Sequence, residues 1–242
     1  MLRVLPDIFA AGRASQLGGD RLMEMLEGIA TRRSIRGFKP TPIPRETLDK
    51  LFHLASRSAS YKNTQPWEVA VVTGKKRDEL SKILYDLASN TVPQNHDEPA
   101  PKLYPDALEE RARIHNKNRF AAIGLARDDA QAREKARLMN FEFFGAPCAV
   151  FIFMDKTLTH WSTFDVGLFA ETLALTAHAM GLGTCQQASV TGYPDAIRKC
   201  LGITDDKKLV ISLSLGYPDF DAPLNAYHSA REPNEKFVTY YD

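Results

Sequence analysis

The sequence predicts a mixed fold of helices and a few strands, organised as one compact domain over residues 21–242 behind an N-terminal extension at 1–20. Three observations point there. Amphipathic segments of helical period alternate with short β-branched or apolar runs, with neither a fixed repeat nor a low-complexity tract. A chain of 242 residues with 44 % apolar content is enough for one sizeable core. The longest apolar run, 146–154, is far too short to cross a bilayer.

The elements follow in order. Leu22, Met25, Leu26 and Ile29 recur at helical spacing and deliver the chain to Arg32-Arg33-Ser34-Ile35-Arg36-Gly37-Phe38, so these guanidinium groups lie at or just beyond a helix end. Pro44 suits a helix start, and Leu48, Leu51, Phe52 and Ala55 form the buried stripe of the helix it opens. A polar loop, Ser58-Ala59-Ser60-Tyr61-Lys62-Asn63-Thr64-Gln65-Pro66-Trp67, precedes a β-branched strand at 68–74 closed by Gly74. Residues 75–90 return as an amphipathic helix with Leu80, Ile83, Leu84 and Leu87 inward.

Residues 91–105 are rich in Pro, Asn, Asp and His without periodicity, a length at which a loop more often has a function than merely connects. Two charged helices are expected over 106–126 and 129–144. The apolar run 147–154 reads as a strand covered on both faces, with 209–215 as its partner. Between them, 164–181 is a helix apolar nearly all round: Val166, Phe169, Ala170, Leu173, Ala177 and Met180 make one face, and Leu168, Leu175 and Thr176 keep another from being strongly polar. Such a helix belongs in a core or a subunit interface. The tail 236–242 has strand propensity and little core of its own, as an arm that joins a neighbouring sheet would.

Charge and cysteine usage exclude several classes. Lys and Arg number 31 against 30 Asp and Glu, a formal net charge of +1, so no global field attracts nucleic acid or an anionic membrane. Cys148, Cys185 and Cys200 form no Cys-x-x-Cys pair, which indicates neither a disulfide framework nor a zinc site and makes a reducing cytoplasm the economical location. The N-terminal residues, with Arg3 and Asp7, lack the apolar core of a signal peptide. His115, His160, His178 and His228 stand apart, without a second ligand at metal spacing. No Gly-x-Gly-x-x-Gly or Walker motif marks a nucleotide site of the Rossmann or P-loop kind.

Two segments carry chemistry. Arg32, Arg33 and Arg36 beside Ser34 suit phosphate, because the planar guanidinium grips it bidentately. The amides and hydroxyls of Ser60, Asn63 and Gln65 suit the polar edge of a ring. Each has a plainer reading: the Arg run as a solvated helix cap, the loop amides as turn residues, Trp67 as a core anchor, the Phe141, Phe143 and Phe144 cluster as core, and Cys185 as a small buried hydrophobe.

Taken as an ordered set, Arg32-Arg33-Ser34-Ile35-Arg36-x-Phe38, Ser60-x-x-Asn63-x-Gln65-Pro66-Trp67, Phe143-Phe144-Gly145-Ala146-Pro147, Gly181-Leu182-Gly183-Thr184-Cys185, Gly216-Tyr217-Pro218 and Arg231-Glu232-Pro233 resemble the FMN-dependent nitroreductase family, in particular its nitrobenzoate-reductase branch. The resemblance runs from about Arg32 to Phe237. It implies an α+β fold with a central, mainly antiparallel sheet flanked by helices, in a homodimer with FMN at the interface and the C-terminal strand exchanged with the partner subunit.

The resemblance also implies roles. Arg32, Ser34 and Arg36, with Arg33 among them, match the cluster that holds the FMN phosphate and ring oxygens, and Arg231 completes the clamp. Ser60, Asn63 and Gln65 match a loop that reaches the ring from the other subunit. Gln187, Ala188 and Ser189 fall where the family sets backbone N–H groups against flavin N5 and O4, a donor placement that favours charge on the ring. This chain departs from the familiar acidic residue followed by glycine at Ala188 and Ser189, which leaves a backbone contact intact and removes any side-chain role.

The implied activity is NAD(P)H-dependent reduction of a nitroaromatic or quinone-like acceptor, donor and acceptor using one flavin face in turn, with no protein nucleophile. Tyr104 and Phe120, within 91–126, are the aromatic candidates for acceptor choice. Two alternatives stand beside it: a flavin-dependent reductive dehalogenase of an aromatic substrate, and a flavin-binding redox sensor without turnover.

Overall fold

The computed structural model describes residues 23–99, 101, 103–124 and 129–242. The expected extension at 1–20 and Leu22 of the first stripe lie outside them. In chain order the elements are α1 (Met25–Thr31), α2 (Arg45–Ala55), β1 (Glu68–Thr73), α3 (Gly74–Ser89), α4 (Asp106–Ala122), α5 (Ala130–Leu138), β2 (Cys148–Asp155), α6 (His160–Ala179), β3 (Gly183–Gln186), α7 (Pro194–Leu201) and β4 (Lys207–Gly216), joined by short 3₁₀ turns. The strands form one antiparallel sheet in the order β1-β2-β4-β3. The α+β class and the pairing of the two apolar runs are as the sequence implies.

The β2 strand explains the layering. Its side chains alternate between the two faces of the sheet. Ala149, Phe151 and Phe153 pack with Leu80 and Leu84 of α3 and Ile197 of α7. Cys148, Val150, Ile152 and Met154 pack with Leu51 and Ala55 of α2 and with Val166, Phe169 and Leu173 of α6. A strand covered on both faces has no polar side to alternate with, hence its unbroken apolar run. Burial of each large apolar side chain here contributes about 1.5–3 kcal/mol. Trp67 stacks on Phe169 with ring centroids 4.7 Å apart, the core anchor its plainer reading requires.

Two helices end short of the sequence-based expectation. The second charged helix stops at Leu138 rather than continuing to 144. Phe143 and Phe144 then take left-handed backbone angles, φ +55° and +53°, and Phe141, Phe143 and Phe144 all go inside. Continuous helix would place 141 and 144 on one face and turn 143 away, so burying all three aromatics overrides the local helical preference. The first charged helix ends at Ala122. The tail beyond the 3₁₀ turn Asn234–Lys236 forms no strand within its own chain, and Phe237, Tyr240 and Tyr241 are exposed.

Close approach at Gly183 sets up the next region. A Cβ there would meet Ile35 at 2.7 Å and Pro218 at 3.0 Å. Only glycine lets the segment after α1 run against the free edge of β3, where Ser34 bridges Thr184 and the Ile35 N–H donates to the Thr184 carbonyl at 2.8 Å.

Candidate functional site

Residues 34–38 are held from two sides. β3 fixes Ile35, and buried Asn225 fixes Arg36 and Gly37: its Oδ1 accepts from the Arg36 N–H at 2.6 Å while its Nδ2 donates to the carbonyls of Gly37 at 2.8 Å and Asp219 at 2.7 Å. One fully used amide thereby ties the N-terminal Arg segment to the C-terminal strand exit. Nothing in the sequence around Asn225 distinguishes it from a surface turn residue.

Arg36 projects into a cavity of about 580 Å³. Its walls are Asn116, Arg119 and Phe120 of α4, Arg133 and Arg137 of α5, Cys185 and Gln186 of β3, and Ser189 just beyond. The Arg119 guanidinium carbon lies 4.8 Å from the Phe120 ring centroid and that of Arg133 lies 5.4 Å from it, so one aromatic plate carries a cation on two approaches. Arg137 is paired with Glu134 at 2.6 Å. Burial, reinforced by the charge of Arg36, holds Arg119 below the usual arginine range, and its Nε is buried without a hydrogen-bond partner among the described residues.

His115 reports on the same neighbourhood. Burial lowers its affinity for a proton, and the charges of Arg119, Arg36 and Arg231 lower it further, so guanidiniums from three distant parts of the chain converge on one imidazole. Its Nδ1 is 3.1 Å from the Tyr227 hydroxyl.

The other arginines of the N-terminal run point elsewhere. Arg32 pairs with Glu171 of α6 at 2.9 Å. Arg33 hydrogen-bonds His228 and lies over the Phe220 ring at 5.6 Å. Burial lowers the proton affinity of His228 and of His178, and the nearby arginine charges add to it.

The polar loop is strained and anchored. Lys62, Asn63 and Gln65 all have positive φ, between 48° and 57°. The Tyr61 N–H donates to both oxygens of buried Asp165 at 3.1 Å, Ser60 Oγ accepts from the Gln65 N–H at 3.0 Å, and Gln65 Nε2 donates to the Asn63 carbonyl at 3.2 Å. Asn63 and Gln65 are exposed, and none of Ser60, Asn63 and Gln65 lines the arginine cavity of its own chain.

The turn after β3 divides its three candidates. Gln187 is wall: its N–H donates to Ser212 O at 2.8 Å, its Nε2 to Asn140 O at 2.7 Å, and its Oε1 accepts from Ser214. Ala188 and Ser189 are exposed, and Ser189 lines the cavity. Of the aromatic candidates, Phe120 lines the cavity and half-exposed Tyr104, in the loop before α4, does not. Burial raises the Cys185 thiol and pushes Cys148 up to about 12, which keeps both protonated and unreactive.

The donor set suits a phosphorylated, planar cofactor such as FMN, whose ring takes on negative charge when reduced: an unsatisfied buried guanidinium nitrogen, further arginines, and a cavity within the size range of small-molecule sites. Among the described residues no cluster of His, Cys, Asp and Glu could hold a metal ion, and no helix is long and apolar enough to cross a membrane. Arg119 and Arg133 escaped sequence reasoning because charged helices read as solvated. Their signal was spacing: Asn116, Arg119 and Phe120 share one face of α4, as Arg133 and Arg137 share one of α5.

A second cavity, of about 610 Å³, lies between Ile43, Phe52 of α2, Val71 of β1 and Pro147.

Comparison with known proteins places this arrangement. A family model described as the nitroreductase family matches residues 29–217. The 4-nitrobenzoate reductase of Nocardioides sp. (strain LMS-CY) is 32 % identical over 216 residues, 88 % of this chain and 87 % of that protein. The 4-nitrobenzoate reductase of Pseudomonas putida is 33 % identical over 210 residues, covering 87 % and 92 % respectively. The crystal structure of the FMN-dependent nitroreductase NfnB from Mycobacterium smegmatis in complex with NADPH superposes with a TM-score of 0.86 at 31 % identity, over 90 % of this chain and 97 % of that one.

Proposed function

The chain belongs to the nitroreductase family, and from that premise we propose that it is an FMN-dependent NAD(P)H oxidoreductase that reduces nitroaromatic or quinone-like acceptors. The observation that carries the reading is the arginine-lined cavity bounded by Arg36, Phe120 and Ser189. The relatives' names favour neither a dehalogenase nor a sensor without turnover.

FMN, when bound, supplies the two-electron chemistry. This chain's residues hold and bias it. Ser34 and Arg36 with Arg231 grip phosphate and ring oxygens, Arg32 and Arg33 being engaged with Glu171 and His228 instead, and the exposed backbone at Ala188 and Ser189 offers N–H groups to the ring edge. A fixed positive field from Arg36 and Arg119, in a site partly closed to water, favours negative charge developing beside it. Gln187 serves by holding the turn rather than by touching the cofactor. Phe120, with a cation on either side, forms the acceptor wall, and the guanidiniums of Arg119 and Arg133 suit an aryl carboxylate such as the 4-nitrobenzoate for which the relatives are named.

The functional unit is a homodimer. Met25 and Leu26 of α1, Trp161 and Phe164 of α6, and the tail Phe237, Tyr240 and Tyr241 are exposed in the single chain, a large apolar area for a monomer to leave in water. The tail is an extended arm for a second copy, and β1, an outer strand of the sheet, is an edge that can take such an arm. Ser60, Asn63 and Gln65, turned away from their own chain's cavity, contribute to the partner's. A cytoplasmic location, with its supply of reduced nicotinamide, fits this activity.

Steady-state oxidation of NADH and of NADPH, with 4-nitrobenzoate and with uncharged 4-nitrobenzamide as acceptors, tests the reading. The parent enzyme turns over both and favours the anion, and Arg119→Met raises KM for the anion about tenfold while changing the amide less than about twofold. Turnover of neither acceptor with either nicotinamide contradicts it.

A further inference from the structure

Beyond the arginine cavity, residues 92–98 strap the turn that carries Ala188 and Ser189. The Asn95 N–H donates to the Gly192 carbonyl at 2.8 Å, and the Tyr193 hydroxyl donates to the Val92 carbonyl at 3.0 Å. A Cβ at Gly192 would strike the Gln94 side chain at 2.6 Å, so strap and turn are in close contact. Asp97 locks the strap below, accepting from Arg198 at 2.5 Å and from the Leu209 N–H at 2.8 Å.

Four hydrogen bonds run through His96, Gln94 and the turn, two of them crossing from strap to turn, and their protons can be counted. The Thr191 hydroxyl donates to the Ala188 carbonyl at 2.8 Å, which uses its only proton. His96 Nδ1, 3.0 Å from the same hydroxyl, must therefore donate. At the other side of the ring Nε2 lies 3.1 Å from Gln94 Oε1, while Gln94 Nε2 donates to the Ser189 carbonyl at 3.3 Å. With one proton on the imidazole, Nε2 and Oε1 are two acceptors face to face. Turning the amide over only moves the clash, setting Oε1 against the Ser189 carbonyl. All four contacts are satisfied together only by an imidazole that carries two protons.

We propose that His96, acting through Gln94 and Thr191, is a positioning residue that grips the carbonyls of both Ala188 and Ser189 when doubly protonated and releases one link when neutral. This rests on the reading that the turn's backbone meets the cofactor. The charged groups around the strap are already engaged: Asp97 with Arg198, Asp195 with Arg198 at 2.5 Å, and Glu98 with Lys208 at 2.7 Å. The turn itself, Ala188–Gly192, brings no charge. The imidazole is the member of this network that can hold either one proton or two, and its proton count sets how tightly the cofactor-facing backbone is held.

The test uses the protein as purified, with excess FMN, at about pH 5.5 and about pH 8, either side of the range in which imidazoles titrate. Hydrogen–deuterium exchange is read at amides 188–193 after correction for the intrinsic pH dependence of exchange. Protection in the parent falls about fivefold from the lower to the higher pH, while His96→Ala and Gln94→Met show low protection at both. The rate at which NADPH bleaches bound flavin then has a pH ratio that shifts about threefold between parent and His96→Ala. Gln94→Met keeps the test available should His96→Ala fail to fold. Equal parental protection at the two pH values, or a pH dependence retained in both variants, overturns the proposal. A network that responds while the bleaching ratio stays fixed overturns its positioning role. Failure of FMN to bind overturns the cofactor reading instead, and the exchange data still judge the network.

Discussion

Strand β2 and two marginal segments, α1 and the C-terminal tail, are built from the same kinds of residue and meet opposite fates. Phe151, Ile152 and Met154 are wholly buried between α-helical layers, whereas Met25 and Leu26 in the one and Tyr240 and Tyr241 in the other are 77 %, 81 %, 84 % and 93 % exposed. The two faces of the sheet are packed within one chain. The exposed groups of α1 and of the tail are not packed there, and in the proposed dimer a second copy would cover them. Stability thus concentrates in the sheet, and under the proposed function assembly with cofactor capture concentrates at its margins.

That contrast is most sharply broken by Phe151→Ala. Removing a fully enclosed ring at the sheet centre costs about 3–5 kcal/mol, and the melting midpoint falls at every protein concentration. Deleting residues 234–242 acts on the margin instead. It shifts the protein toward monomer in sedimentation and weakens FMN retention about tenfold, with the far-ultraviolet circular dichroism of the sheet and helices preserved. A truncated chain that stays dimeric and keeps its FMN shows that the tail serves neither assembly nor cofactor capture.

A smaller effect separates the two regions by pH. His115, His178 and His228 all lie outside the sheet, and burial holds each below the usual histidine value of 6.5. The unfolded chain then binds protons more readily than the folded one, so this part of the stability is fully present above pH 6.5 and is lost as pH falls through the lowered native values. Melting midpoints drop between about pH 7 and about pH 5, and His178→Gln makes the curve flatter. An unchanged slope in that variant assigns the acid sensitivity elsewhere.

The same contrast governs how much was legible in the sequence. The β2 run, its partner β4 and the helix α6 could be read because packing on both faces writes continuous hydrophobicity into the chain. The early end of α5 could not, since it depends on three phenylalanines finding space under the sheet. At the site, Arg36, Phe120 and Ser189 were legible as residue types in suggestive places. Arg119 and Arg133 were masked by looking like ordinary charged helix faces, and Asn225 and His96 act through partners far away in sequence, a relation no local pattern encodes. Gln187 shows the converse, a residue whose position suggests cofactor contact while its hydrogen bonds are all spent on the wall.

The most direct measurement is the absorption spectrum of the purified protein, followed anaerobically through addition of NADPH or NADH and then of 4-nitrobenzoate. An FMN-dependent oxidoreductase shows bands of bound flavin that bleach with the nicotinamide and return with the acceptor, and Arg36→Ala retains the flavin more weakly. A colourless protein that binds no added FMN contradicts the cofactor assignment, and would return Arg36 and its neighbours to the role of a helix cap.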